Sequence, residues 1–143
     1  MEVSFMRIIG IVTVLLGACL LSAQDTPKIS KVAAPPTSAA SGKEMFHAYC
    51  ASCHGADGKG NGPATVALKT PPGDLTLLAK KSGGKFPSMA VMNSIRDGSQ
   101  AGHGSKDMPV WGPILSTVSN DAPAIVDQRV SNLVGYIQSI QSK

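Results

Sequence analysis

A chain of 143 residues with a formal charge of +4 and only 4% aromatic residues has room for one domain, but its own side chains offer it a thin core. The positive charge is scattered, without the Lys/Arg runs or interleaved aromatics that track a phosphate backbone, so nucleic acid is excluded as an expected partner.

Arg7 is the only strong positive charge ahead of the apolar stretch from Ile8 to Ala23. As a helix this stretch would reach about 24 Å, short of the roughly 30 Å hydrocarbon core of a bilayer. It reads as a signal sequence over residues 1–23 rather than a full membrane span. Its end has two readings. Leu16-Gly17-Ala18-Cys19 resembles a lipobox, with Cys19 as the lipid-modified first residue, whereas Leu21-Ser22-Ala23 suits ordinary cleavage before Gln24. Either outcome places the domain outside the cytoplasm, periplasmic or facing the periplasm, with a membrane tether through Cys19 or an uncleaved N-terminal segment as one form. Residues 24–41 are rich in Thr, Ser, Ala, Lys and Pro, including Pro35-Pro36, and show no apolar periodicity. They read as a linker able to reach roughly 25 Å as coil or about 55 Å extended. The folded domain is expected over residues 42–143.

Ser41-Gly42-Lys43-Glu44 fits a capping box, the serine hydroxyl taking a free helix N–H and the glutamate reaching back to the cap. The helix it opens carries Met45, Phe46, Tyr49 and Cys50 and leads into Cys50-Ala51-Ser52-Cys53-His54. C-x-x-C-H is an attachment pattern for c-type haem. Two thiols one helical turn apart add to the two vinyl groups of one porphyrin, and the next residue, histidine, lies under the iron. A zinc site would need four ligands, and no second Cys pair or spaced His pair is present. A redox dithiol would sit after a strand, and none precedes it. With Cys50 and Cys53 consumed as thioethers and Cys19 lost or acylated, the cysteine count closes.

Glycines at 55, 58, 60 and 62, followed by Pro63, make the next segment a loop. Pro71-Pro72-Gly73-Asp74 forms a turn and cap before a short helix over 76–81, and 85–95 supports a further helix with an apolar stripe of Phe86, Met89, Val91, Met92 and Ile95. The final helix is the most regular, with Val126, Val130, Leu133, Val134, Ile137 and Ile140 or Gln141 on one face and Tyr136 at its edge. No segment alternates as a strand does, so an all-α domain with long loops is expected, four to five short helices around the cofactor.

The iron's second axial position has several candidates. His47 and Met45 lie on the helix just before the attachment cysteines, too close in sequence to cross to the opposite haem face. Met89 and Met92 fall on an apolar stripe, where methionine serves packing. Met108 stands in the polar loop 104–113, where packing alone does not demand it, and Pro109 favours an extended backbone there. His103, in the same region, is its rival.

In order along the chain, Gly42 and Phe46, Cys50/Cys53/His54, Gly62-Pro63, Met108-Pro109, and Leu133 with Tyr136 resemble the class I cytochromes c, from about Gly42 to Ile140. The resemblance implies that first and last helices cross at Gly42 with Phe46 near Tyr136. It also implies that the Pro63 carbonyl accepts a hydrogen bond from His54. Residues 64–104 and 114–127 depart from any particular subfamily. His/Met ligation would make the protein a one-electron carrier and not an enzyme, exchanging electrons with a quinol-oxidising complex, a terminal oxidase or a periplasmic dehydrogenase. The competing readings are a haem subunit of an oxidoreductase, or a peroxidase or gas-binding protein with a labile distal ligand. Lys59, Lys69, Lys80, Lys81, Lys85 and Lys106 border the expected crevice and either steer an acidic partner or serve solubility. Trp111 either closes the crevice or packs in the core.

Overall fold

The computed structural model describes residues 34–98, 108–118 and 122–143. Cys19, the signal segment, His103 and Lys106 lie outside the described residues. Among the described residues every regular element is helical and no helix is long and apolar enough to cross a membrane.

Helix α1 (Gly42–Met45) runs into a π-helical turn (Phe46–Cys50) and then α2 (Ala51–His54). Short 3-10 turns follow at Pro63–Ala67 and Leu75–Leu77, the second continuing into α3 (Leu78–Lys81). Helices α4 (Ser88–Asp97), α5 (Trp111–Val118) and α6 (Pro123–Ser139) complete the domain.

The stripe read on the last helix is the one that α6 buries: Val126, Val130, Leu133, Val134 and Ile137, against Met45, Phe46 and Tyr49 from the first helical run and Val91, Ile95 and Leu115 from α4 and α5. One charged residue shares that face, Arg129, which is 5% exposed. The first and last helices cross at Gly42, where an added Cβ would overlap the Asn132 carbonyl and lie 3.1 Å from Tyr136 Cβ. Just beyond, Phe46 meets Tyr136 with ring centroids 5.1 Å apart, the contact that the resemblance implied.

The capping box forms by half. Ser41 Oγ accepts from the Glu44 N–H (3.2 Å), but the Ser41 N–H is already taken by the Ser38 carbonyl (3.3 Å), so the Glu44 carboxylate accepts from the Ser38 N–H instead (3.3 Å). The end of the expected linker is therefore docked. Ala34 packs against the core, and the carbonyls of Pro35, Thr37 and Ala39 accept from Tyr49 Oη (2.7 Å), Arg129 Nη1 (3.0 Å) and Asn132 Nδ2 (2.8 Å).

Two further departures concern elements. Residues 111–113, read as loop, form the first turn of α5, where Pro113 is tolerated because first-turn N–H groups have no intrahelical acceptor. Met89 leaves the stripe expected of α4 and is 66% exposed, while Val91 and Ile95 are buried.

At the chain's end, the Gln141 side chain donates to the carbonyls of Leu75 and Ile137 (each 2.8 Å) and accepts from the Ala79 N–H (2.9 Å). It thereby ties α6 to the segment that Asp74 caps. The Asp74 carboxylate accepts from Thr76 Oγ1 (2.6 Å) and the Thr76 N–H (2.8 Å). Its pKa is lowered first by the Thr76 hydroxyl and then, against a small desolvation, by the Thr76 N–H and the charges of Lys81 and Lys59.

Gly42→Ala should destabilise the domain by about 1–3 kcal/mol, outweighing the roughly 1 kcal/mol that alanine gains in helix propensity; thermal unfolding followed by circular dichroism reads it. Asp74→Ala should cost about 1 kcal/mol at neutral pH. The folded carboxyl titrates below its unfolded value, so this contribution is full above about pH 4 and is lost as pH falls through the folded pKa. Denaturation midpoints of variant and parent, compared from neutral to strongly acidic pH, should converge at the acid end.

Candidate haem site

The attachment motif occupies the end of the first helical run. The π-turn carries the Ala51 N–H to the Phe46 carbonyl, one residue further than an α-turn would. This rotates Cys50–His54 by roughly 100° relative to the core-facing Met45–Tyr49 segment. Tyr49 consequently stays buried while Cys50, Cys53 and His54 stand half-buried at the domain's surface.

The glycine loop then folds back onto the helix that it has just left. The N–H groups of Gly55, Gly62 and Gly60 donate to the carbonyls of Ala51 (2.9 Å), Cys53 (3.1 Å) and His54 (2.7 Å), and Thr65 Oγ1 adds a second bond to the Cys53 carbonyl (3.1 Å). These are the carbonyls that a helix C-terminus leaves without intrahelical donors. Gly55 takes the positive φ (78°) that this reversal requires. Gly62 is confined for a different reason: a Cβ there would stand 2.6 Å from the Ala51 carbonyl oxygen and 2.7 Å from the Cys53 carbonyl carbon. The backbone thus pins His54 through bonds that no side-chain pattern in the sequence displays.

The two thiols sit in different surroundings. Burial, and secondarily the neighbouring Cys53, push the Cys50 thiol up to about 12. Cys50 is protonated at neutral pH and packs as an apolar group against the core. His54 Nδ1 is buried. Pro63 opens the 3-10 turn packed beside α2, its ring exposed.

Met108 is half-buried and packs against the main core, whereas the next two residues, Pro109 and Val110, are exposed. Trp111, the first residue of α5, stacks on Tyr49 with ring centroids 5.1 Å apart and planes at 26°. Tyr49 immediately precedes Cys50, so this stack connects the Met108 segment to the attachment helix. Of the other sulfur candidates, Met45 is wholly buried beneath the first helix, Met89 is exposed on α4, and Met92 is half-buried on α4 against the core. His47 is exposed beside Phe46 and Tyr136.

The residues fit a haem. Among the described residues, the large exposed apolar side chains are Val66, Met89 and Val110. Val66 lies in the 3-10 turn against α2, and Val110 lies two residues from Met108, so apolar surface stands on the segments flanking the motif, as a porphyrin face requires. No group of three or more His, Cys, Asp or Glu side chains among the described residues is arranged to hold a metal ion by itself. A porphyrin supplies four of its iron's ligands and needs only axial groups from the chain. Sequence reasoning missed Thr37 and Arg129. The available signal for Arg129 was its position three residues after Val126, inside the apolar stripe.

Comparison with known proteins agrees with this chemistry. The family described as Cytochrome c matches residues 39–141. Cytochrome c-554(547) of Halothiobacillus neapolitanus is 30% identical over 105 residues, covering 72% of this chain and 97% of that protein. No solved structure gives a significant match. The match begins near the docked strap, ends at Gln141 and includes every element that positions the motif. The chain belongs to the cytochrome c family, whose members bind haem c covalently, and Cys50 and Cys53 stand in the spacing that this attachment uses.

Proposed function

We propose that this chain is an exported one-electron carrier whose single haem c is joined by thioethers to Cys50 and Cys53 and ligated by His54 and Met108. Haem c electron transfer is the family's activity; the ligand set, the extracytoplasmic setting and the redox partners are the proposal's own content. The observation that carries it is the placing of Met108. It is held against the core at the foot of a helix whose first residue stacks on the attachment helix, while Met45 is enclosed, Met89 points to solvent, and Met92, though also half-buried against the core, lies within α4 with no such link to the attachment helix.

Bound haem supplies an iron that stores and releases one electron. The chain's part is to keep that iron saturated and its surroundings unchanged between the two oxidation states. His54, whose backbone the glycine loop fixes, would present its imidazole to the iron, and its buried Nδ1 would take the Pro63 carbonyl, beside α2, as acceptor once the haem is in place, which would set the tautomer. The Met108 thioether is neutral and favours Fe(II), raising the potential. Trp111, stacked on Tyr49, would cover the site beside Met108. If His54 and Met108 both hold the iron, a substrate would have to displace Met108 to reach it, and on this reading the chain is a carrier rather than a peroxidase.

The N-terminal signal pattern supports delivery across the bacterial membrane, followed by either lipidation at Cys19 or cleavage after Ala23. Exposed Lys59, Lys69, Lys80, Lys81 and Lys85 supply a positive field for acidic surfaces of a quinol-oxidising complex, a terminal oxidase or a periplasmic dehydrogenase, an attraction that weakens as salt shortens the Debye length.

The untreated haem-loaded protein should show a low-spin spectrum with the weak far-red charge-transfer band of iron–thioether bonding; a high-spin spectrum would defeat the carrier reading. Met108→Ala should abolish that band, admit cyanide or carbon monoxide, and lower the potential by on the order of 0.1 V, a fraction of the ~0.8 V range that axial ligands span. His103→Ala should leave all three nearly unchanged, and the reverse ranking would name His103 as the ligand.

A further inference from the structure

The docked strap ends in a hydrogen-bond chain with a fixed direction. Arg129 Nη1 donates to Thr37 Oγ1 (3.2 Å) as well as to the Thr37 carbonyl. Thr37 Oγ1 lies 2.7 Å from Tyr49 Oη, and Tyr49 Oη donates to the Pro35 carbonyl at 2.7 Å. Each hydroxyl has one proton. Guanidinium can only donate and a carbonyl can only accept. The Tyr49 proton is therefore committed to Pro35, and the Thr37 proton must go to Tyr49. Every link points the same way, from Arg129 to the strap, and chains of this kind strengthen each member.

Placing a guanidinium in the apolar stripe of α6 carries a desolvation cost of several kcal/mol, and leucine would fill that stripe more simply. What Arg129 accomplishes there is to organise Thr37 and, through it, the phenol of Tyr49. The Tyr49 ring carries Trp111. After Met108 the chain crosses two exposed residues, Pro109 and Val110, so Trp111 is the first place where this segment is again held by the core. Gly112, buried against α4 where a Cβ would stand 2.6 Å from the Arg96 carbonyl oxygen, sets how closely α5 approaches. The Trp111 stack sets how α5 is rotated.

We propose that Tyr49 is a positioning residue for the distal haem ligand, the Arg129–Thr37–Tyr49 chain fixing its ring and the ring fixing Trp111 and hence the Met108 segment. This rests on Met108 being the ligand. Its consequence is that the strap, far from Met108 in sequence, governs how readily Met108 is displaced.

The test is imidazole titration of the ferric haem-loaded protein, followed by loss of the far-red thioether band. Tyr49→Phe keeps the stack and removes the hydroxyl; Thr37→Val keeps the shape of Thr37 and breaks the chain. Both should retain the band without imidazole yet bind imidazole about tenfold more tightly, the worth of one buried hydrogen bond withdrawn from the clamp. Thr37→Ser should return the affinity to that of the parent. Thr37 lies outside the attachment motif, so the valine and serine variants decide the question even where Tyr49→Phe impairs haem attachment. Imidazole affinities of Tyr49→Phe and Thr37→Val within about twofold of the parent, with or without a fall in melting temperature, would reduce the chain to a purely structural role and overturn the proposal. Survival of the band in Met108→Ala would instead overturn the ligand reading, and this proposal with it.

Discussion

The contact on which the rest of the structure depends is the backbone approach of Gly42 to the Asn132 carbonyl. Two helices can lie this close only where one lacks a side chain, and their closeness sets the course of the chain beyond α1. Met45 and Phe46 enter the stripe of α6 with no exposed surface, Tyr136 closes over Phe46, and the chain leaves the crossing in the orientation that carries Cys50 through His54 to the surface. A domain of this size buries a smaller fraction of its chain's surface than a larger one does, and this one has few aromatic rings. A covalently bound porphyrin adds a flat apolar body that the polypeptide itself does not supply, so cofactor and core are parts of one packing problem.

Beyond the crossing, the site is built mainly from backbone. The carbonyls at the end of α2 find their donors in the N–H groups of the glycine loop, and Gly62 lies so close to Ala51 and Cys53 that a methyl group has no room. The backbone position of His54 is thus decided within a few residues of the cysteines. Cys50 meanwhile is held in surroundings apolar enough to push its thiol to about 12. That value belongs to the haem-free chain, and the same apolar surroundings suit a thioether, which carries no charge in either oxidation state of the iron.

Much of this was legible in the sequence because it is periodic or spaced. The stripe of α6, the C-x-x-C-H spacing, Gly42 with Phe46, and the Ser41 cap each depend on residue identities at short separations. What was not legible depended on competition between distant partners. Glu44 fits a capping box, but Ser38 had already occupied the Ser41 N–H, a contest invisible to the four-residue pattern. Residues 34–41 have the composition of a linker, and their order comes from Tyr49, Arg129 and Asn132, which reach the strap's carbonyls only once the helices have crossed. The start of α5 was hidden by Gly112 and Pro113, although proline in a first helical turn is compatible with a helix. The π-turn leaves no compositional mark at all.

These differences in legibility reflect a physical asymmetry between the His54 segment and the Met108 segment. The His54 segment is closed by bonds between residues 51 and 65, local in sequence and formed as soon as the loop turns back. The Met108 segment is held through Trp111, Tyr49, Thr37 and Arg129, a series that joins both ends of the domain and exists only when the whole fold is in place. Local opening costs less where contacts are few, so on the proposed ligation Met108 would be the softer of the two ligands. An electron carrier can tolerate this because neither ligand leaves during its work. On the proposed ligation, that softness would make the strap at the domain's N-terminal edge part of what keeps Met108 in place.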